Sequence, residues 1–233
     1  MHYLLFQLVA FSSSNAITFV YDNAWNKLSV AYKSGSTTVK TEYAGNKVYK
    51  NGTLSMVLTE EGYATLSGTT PTYYYYLKDH QGNNRVVINQ SGAVQQVNHY
   101  YPFGALFGEG VQTFGQPYRY NGKELDGFQE LDLYDYGARH YDAILGRWGT
   151  VDPLAEKYYS ISPYVYVANN PIRYIDPDGR DWYEFENENG TKSTIWQEGN
   201  TKTITINDQV YNNMEQHISH NMIGVLFLII RII

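Results

Sequence analysis

Apolar and polar positions alternate with a period of two along most of this chain, in short runs broken by Gly-, Asn- and Asp-bearing turns. That period places successive side chains on opposite faces of a strand. The clearest stretch is NRVVINQSGAVQQVNHYY, residues 84–101. It predicts a strand from Arg85 to Asn89, a turn at Gln90-Ser91-Gly92 and a second strand from Ala93 to Tyr101. Three other passages repeat this grammar of Tyr, an Asp/Asn/Gly turn and an alternating run. They are VYDNAWNKLSVAY (20–32), EYAGNKVYKNGTLSMVL (42–58) and YRYNGKELDGFQELDLYDYGARHYDAILGRW (118–148). Residues 17–148 are therefore expected to form consecutive antiparallel hairpins, with turns at Asn51-Gly52, Gly82-Asn83 and Ser91-Gly92. The run Tyr73-Tyr74-Tyr75-Tyr76 would set two rings on each face of one strand.

The segment DWYEFENENGTKSTIWQEGNTKTITIND (181–208) predicts three further short strands joined by Gly turns. Residues 209–220 read as a short helix. Asp152 to Tyr158 reads as a helical turn with Pro153 at its first position. The fold class is mainly β: an antiparallel hairpin ribbon with a small β-rich C-terminal tail.

Composition narrows the chemistry. The chain has 233 residues, with 24 Tyr, 20 Gly and no Cys. Thiolate nucleophiles, thiolate metal sites and disulfides are thereby excluded. The formal net charge is −6 and no basic run stands out, which argues against a nucleic-acid partner. The apolar stretch within residues 1–16 ends in a small-x-small site but lacks a basic flank, so it reads as signal-like or as a truncated strand. The apolar end, residues 221–233, is shorter than the roughly 20 residues a membrane helix needs and carries Arg231. It gives no clear membrane span and suggests a truncated tail.

Residues 73–180 resemble the RHS repeat-associated core of the Rhs/YD-repeat family. The likeness rests on YYYYLKDHQGNNRVVINQSGAV, on YYPFGALF, on the Tyr-x-Gly-Lys-Glu-like and Gly-Arg-Trp elements within 118–148, and on SPYVYVANNPIRYIDPDG. Residues 17–72 resemble looser upstream repeats, and residues 181–233 fall where the family carries a variable C-terminal extension. The resemblance implies the terminal part of a β-shell whose core closes one end and carries a polymorphic C-terminal cargo in a bacterial toxin or surface protein. It further implies upstream repeats or a shell-forming partner, an immunity protein, and a secreted or cell-surface location. Two readings from other classes stand beside it: a non-catalytic surface protein whose ribbon binds glycans or other ligands, and an inactive fragment of a larger Rhs frame.

The family resemblance also implies an intramolecular aspartyl protease. Such chemistry needs two carboxylates sharing a proton, one activating a water and the other protonating the leaving amine. The candidates are Asp152 and Asp176, each held before a proline, with Arg147 as a supporting charge. The bond to be cut would join Arg180 to Asp181. The sequence departs from the cleaving pattern in its first motif, Asp152-Pro153-Leu154-Ala155 where that pattern has Asp-Pro-x-Gly-Leu, and at Arg180, where it has Leu. Asp-Pro is also a common turn starter, and the chain then keeps these residues as turn formers without activity. The six His residues are scattered, so neither a metal site nor a cofactor is expected.

Overall fold

The structure is a computed structural model describing residues 4–108, 116–157, 159–180, 183–186, 192–194, 203–206 and 209–213. The chain divides into two compact units, residues 1–145 and 146–233.

In the first unit ten strands follow one another in a single antiparallel meander whose spatial order is the order of the sequence. They are β1 (Leu5–Ala10), β2 (Asn15–Tyr21), β3 (Lys27–Ser34), β4 (Thr37–Ala44), β5 (Lys47–Lys50), β6 (Thr53–Thr59), β7 (Gly62–Ser67), β8 (Thr70–Lys78), β9 (Asn84–Asn89) and β10 (Val94–Val97). Two kinds of turn build the ribbon. From β3 to β8 the loops hold two residues; Asn51 and Gly52 both have positive φ, 49° and 77°, the conformation that matches strand twist. Elsewhere a five-residue turn recurs, in Asp22–Asn26, Asp79–Asn83 and Asn89–Ala93. In each, the first N–H donates to the fifth carbonyl, the fourth N–H donates to the first carbonyl, and the opening Asp or Asn Oδ1 accepts the N–H groups of the third and fifth residues. The fourth residue is left-handed: Gly82 at 74°, Gly92 at 81°, and Trp25 at 64°. The opening Asp or Asn is common to all three turns, while Gly removes the left-handed strain at the fourth position in two of them and Trp25 bears it in the other.

The second strand of the 84–101 hairpin is shorter than expected, ending at Val97 rather than Tyr101. Beyond it one further backbone bond, Asn98 N–H to the Arg85 carbonyl at 2.8 Å, is joined by side chains: the Asn98 amide and the Tyr100 hydroxyl both donate to the Asn84 carbonyl, at 2.7 and 2.9 Å. The tyrosine run behaves as the alternation requires. Tyr74 and Tyr76 are half-buried, with Tyr63 stacked on Tyr74 at 4.6 Å, while Tyr73 and Tyr75 face solvent.

One face of β2–β4 is covered by the chain that follows the ribbon. Ile17, Phe19, Tyr21 and Val30 are fully buried there, with Tyr32, Phe128 and Leu131 packed against them. That later segment contributes three short strands, β11 (Glu124–Asp126), β12 (Leu133–Asp135) and β13 (His140–Asp142), paired in order and antiparallel. Its buried tyrosines hold the preceding Pro102-Phe103-Gly104 corner by its backbone. The hydroxyls of Tyr120, Tyr141 and Tyr134 donate to the carbonyls of Pro102, Phe103 and Gly104, at 3.0, 2.8 and 3.3 Å. Each such bond satisfies a carbonyl that no strand ladder serves. This is a physical use for the Tyr-rich composition.

The second unit holds β14 (Arg147–Trp148) and a four-stranded sheet in the order β16 (Lys192–Thr194), β15 (Tyr183–Glu186), β18 (Gln209–Asn213), β17 (Thr203–Ile206). The helix expected over 209–220 is not formed at its start: Gln209–Asn213 is a strand paired with both β17 and β15. Val210 and Tyr211 favour a pleated surface over a helix. Residues 214–220, and the turns expected at Asn189-Gly190 and Gly199-Asn200, lie outside the described residues. The helical turn expected near Asp152 is a single 3-10 turn, Ala155–Lys157.

Within this unit the element YVYVANNP makes a left-handed turn. Val167, Ala168 and Asn169 have φ of 41°, 50° and 58°, closed by Asn169 N–H to the Tyr166 carbonyl at 2.9 Å. Left-handed backbone costs a residue with a Cβ roughly 1–2 kcal/mol. Ala168→Gly is therefore expected to raise the unfolding midpoint, by about 1 kcal/mol of stability; a lowered midpoint in thermal denaturation would refute the strain.

Candidate functional site

The described sequence-predicted site residues lie in the second unit, between Arg147 and Arg180. Asp152 is half-buried. Its Oδ1 accepts the Leu154 N–H at 2.8 Å and its carbonyl accepts the Ala155 N–H at 3.0 Å. Its own N–H donates to the Pro163 carbonyl, which ties this turn to the chain just before β14's partner, Val165. Asp176 is 1% exposed. Its Oδ1 accepts two backbone donors, Asp178 N–H at 3.1 Å and Gly179 N–H at 2.6 Å. Pro177 presets this turn and Gly179, at φ 81°, closes it. Both carboxylates thus sit at the head of an Asp-Pro turn, and in both one oxygen organises the backbone. Arg180 is buried, at 6% exposure. Arg147 is exposed and its guanidinium lies over the Tyr164 ring, 5.8 Å from the centroid. Trp148 and Tyr166, both buried, meet edge to face at 5.4 Å. Asp181 lies outside the described residues.

Sequence reasoning missed a second cluster, in the first unit. Lys27 Nζ lies 2.6 Å from Glu124 Oε2 and 2.8 Å from Asp135 Oδ2. The Tyr21 hydroxyl donates to Asp135 Oδ2 at 3.0 Å, and the Tyr43 hydroxyl donates to both Glu124 oxygens, at 2.8 and 3.0 Å. The cluster joins β2, β3 and β4 to β11 and β12, so it clamps the later segment onto the ribbon. Glu124 and Asp135 are cross-strand partners. Two carboxylates directly opposed repel, and Lys27 is the cation that makes the pairing tolerable. Burial by itself would raise the Asp135 carboxyl, but Lys27 and His140 outweigh it and hold it below its ordinary range. Burial would likewise lower the Lys27 ammonium, yet Glu124 and Asp135 push it well above its usual value. His140, across the ladder from Asp135, is driven down by burial, which Asp135 only partly offsets. It lies within the 118–148 passage expected to form strands, and in β13 it pairs across the sheet.

The signal for this cluster is weak in the sequence because a β-bulge creates it. Phe19 pairs with Val30 and Val20 with Ser29, but Tyr21 pairs with Lys27. Strict alternation would set Lys27 on the face opposite Val30; the extra residue turns it inward.

The fold class is thus an all-β ribbon of sequential hairpins, one face of which is covered by the Tyr-rich segment that follows it. Among curated relatives, the Salivary gland surface protein 1 of Aedes aegypti is 40% identical over 114 residues, covering 46% of this chain and 3% of its own length. The toxin subunit YenC2 of Yersinia entomophaga is 34% identical over 115 residues, covering 46% of this chain and 11% of its own. The chain therefore spans a small part of either relative. The crystal structure of a TcdB2-TccC3-Cdc42 assembly superposes with a TM-score of 0.60 at 20% identity, over 76% of this chain and 10% of that one. TcdB2-TccC3 without its hypervariable C-terminal region superposes with a TM-score of 0.55 at 20% identity, over 73% and 9%. No protein-family model matches the chain. No helix among the described residues is long and apolar enough to cross a membrane.

Proposed function

We propose that this chain is the end module of an Rhs-type β-shell from a toxin or surface protein, in which residues 73–180 close the ribbon and residues 181–233 stand where a cargo is carried. The observation that carries the reading is the clamp of Lys27, Glu124 and Asp135, which fixes the covering segment onto one face of an otherwise open ribbon. Similarity to a toxin subunit and to the TcdB2-TccC3 fold supports it. So does the position of residues 181–233, since a structure of that complex is described without a hypervariable C-terminal region. On this reading the natural partners are further Rhs repeats or a shell-forming subunit, with an immunity protein where the cargo is toxic, and the site of action is outside the producing cell.

Self-cleavage is the activity to test in such a module. Water would add across the Arg180–Asp181 peptide bond, one of Asp152 and Asp176 taking its proton and the other giving one to the departing amine. The turn geometry supports a fixed placement for both carboxylates. Equally, their bonding to local N–H groups supports a purely structural role. The intact mass of freshly purified protein separates the two. Cleavage yields a core ending at Arg180 and a tail beginning at Asp181, and Asp152→Asn or Asp176→Asn each leaves the chain whole, because a dyad acts as a unit. A chain that stays at 26.7 kDa in the parent and both variants assigns Asp152 and Asp176 to turn formation alone. The shell-end reading is tested separately by limited proteolysis. Residues 4–180 are expected to resist as one fragment; cuts within 116–145 as early as within the tail would overturn it.

A further inference from the structure

The side of the ribbon opposite the covered face carries a second apolar surface. On β7–β10, Leu66, Tyr73, Tyr75, Leu77 and Val94 are exposed, at 39, 46, 42, 50 and 46%. Alternation sets Tyr73, Tyr75 and Leu77 on one side of β8. Tyr74 and Tyr76 take the other side, where the Tyr76 hydroxyl donates to Gln116 at 3.3 Å. Strand pairing makes the exposed patch continuous. Tyr73 stands opposite Ala64, and Tyr75 opposite Gly62, on β7. Across β9, Tyr75 stands opposite Ile88 and Leu77 opposite Val86, and Val94 of β10 also stands opposite Ile88. No charged residue falls among these positions. Ala64 and Gly62 are buried and raise no ridge beside the two rings, so the surface is flat. Four strands about 4.8 Å apart, over a length of about seven residues at 3.4 Å each, give it roughly 450 Å². Apolar patches of that size on a soluble protein are often functional.

We propose that this face is a homodimer surface, on which a second copy of the chain packs sheet against sheet about a two-fold axis near Tyr75. Three properties select that occupant. A flat strand face is matched by another flat strand face about 10 Å away, with the inner side chains interleaved. A two-fold axis sets each patch against itself, so charges near it would meet their own kind; here there are none. The exposed side chains are aliphatic or tyrosine, so a polar or charged ligand finds little to bind. Area sets the strength. A pair buries about 900 Å² in total, below the range of about 1,200–2,000 Å² typical of stable complexes. The dimer is therefore weak and reversible, with a dissociation constant on the order of 10–100 µM. Tyr73 and Tyr75 are its anchors, since tyrosine brings a large contact area at a small entropic cost. The clamp of Lys27, Glu124 and Asp135 belongs to the covered face, so pairing leaves it in place.

Sedimentation velocity of the full chain over a range of concentrations is expected to show reversible exchange between monomer and dimer. Tyr73→Lys combined with Leu77→Lys brings four like charges into the interface. It should raise the dissociation constant at least tenfold and leave the circular dichroism spectrum unchanged, because both positions face solvent in the monomer. The chain has no Cys, so Tyr75→Cys supplies a single thiol. A short bis-maleimide should link two Tyr75→Cys copies but not two copies of Ser36→Cys, whose thiol is exposed on the turn between β3 and β4. A monomer at every concentration overturns the proposal. So does a dimer that the paired lysines leave intact, or cross-linking that is equal for the two thiols. A chain that stays monomeric and floats with phosphatidylcholine vesicles assigns the face to lipid and overturns it as well.

Discussion

Lys27→Met is expected to cost about 3–5 kcal/mol of unfolding free energy at pH 7, the size seen when one partner of a buried ion pair is removed. The variant keeps the length and packing of the side chain but leaves Glu124 and Asp135 facing each other across the β11–β12 ladder without a cation. Urea unfolding measures it. A loss below about 1 kcal/mol would class the cluster with surface ion pairs and remove it as the clamp. The pH dependence gives a second check. The Asp135 pKa is lowered in the folded state, so its contribution is present above its unfolded value of about 3.9 and is lost as pH falls through the lower, folded one. His140 is also lowered; below its unfolded value of about 6.5 the unfolded chain binds the proton and the folded one does not, so stability declines as pH falls from there. Lys27, raised, contributes up to its unfolded value of about 10.4, and that contribution is lost as pH rises through its higher folded value. In Lys27→Met the unpaired carboxylates take up protons more easily, so the deficit should shrink between pH 7 and pH 5. Adding Glu124→Gln and Asp135→Asn should restore most of what Lys27→Met removes, because the penalty lies in the charges left behind.

Gly104→Ala is expected to destabilise the first unit by about 3 kcal/mol, as the sum of overpacking and left-handed backbone strain. Gly104 has φ of 90°, and a Cβ there would stand 2.5 Å from the Tyr120 ring. That ring has no room to retreat. Tyr120 is 1% exposed, its hydroxyl donates to the Pro102 carbonyl, and it packs beside Tyr134 and Tyr141, which hold the same corner. Gly92→Ala is the matched control. Gly92 is also left-handed, at 81°, but nothing lies within 4 Å of its added Cβ, so only backbone strain remains, about 1 kcal/mol. Thermal denaturation of the two variants side by side isolates the contact. Equal losses would show that the Pro-Phe-Gly corner is loose rather than clamped by its tyrosines.

Much of the ribbon could be read directly from residues. Asn51-Gly52 demands a two-residue hairpin, and Asp79 or Asn89 followed by Gly demands the five-residue turn, because each requirement is local: a positive φ and a side-chain acceptor within four residues. Alternation then decides the faces wherever a strand is regular, as Tyr74 and Tyr76 against Tyr73 and Tyr75 show. The Asp-Pro turns at 152 and 176 were legible for the same reason. The strand at Gln209–Asn213 was not, since its polar ends suit several local structures and only pairing with β15 and β17 chooses among them.

By itself, then, the sequence determined the hairpin succession, the all-β class and the turn geometry around Asp152 and Asp176, all of which depend on neighbours along the chain. Tertiary structure alone decided which charges meet. Lys27 reaches Glu124 and Asp135 because one bulge reverses its face. The tyrosines find the Pro102, Phe103 and Gly104 carbonyls through contacts with chain remote in sequence. A one-residue change in register moves a side chain from one face to the other, and no local preference fixes that register; burial against a distant segment does.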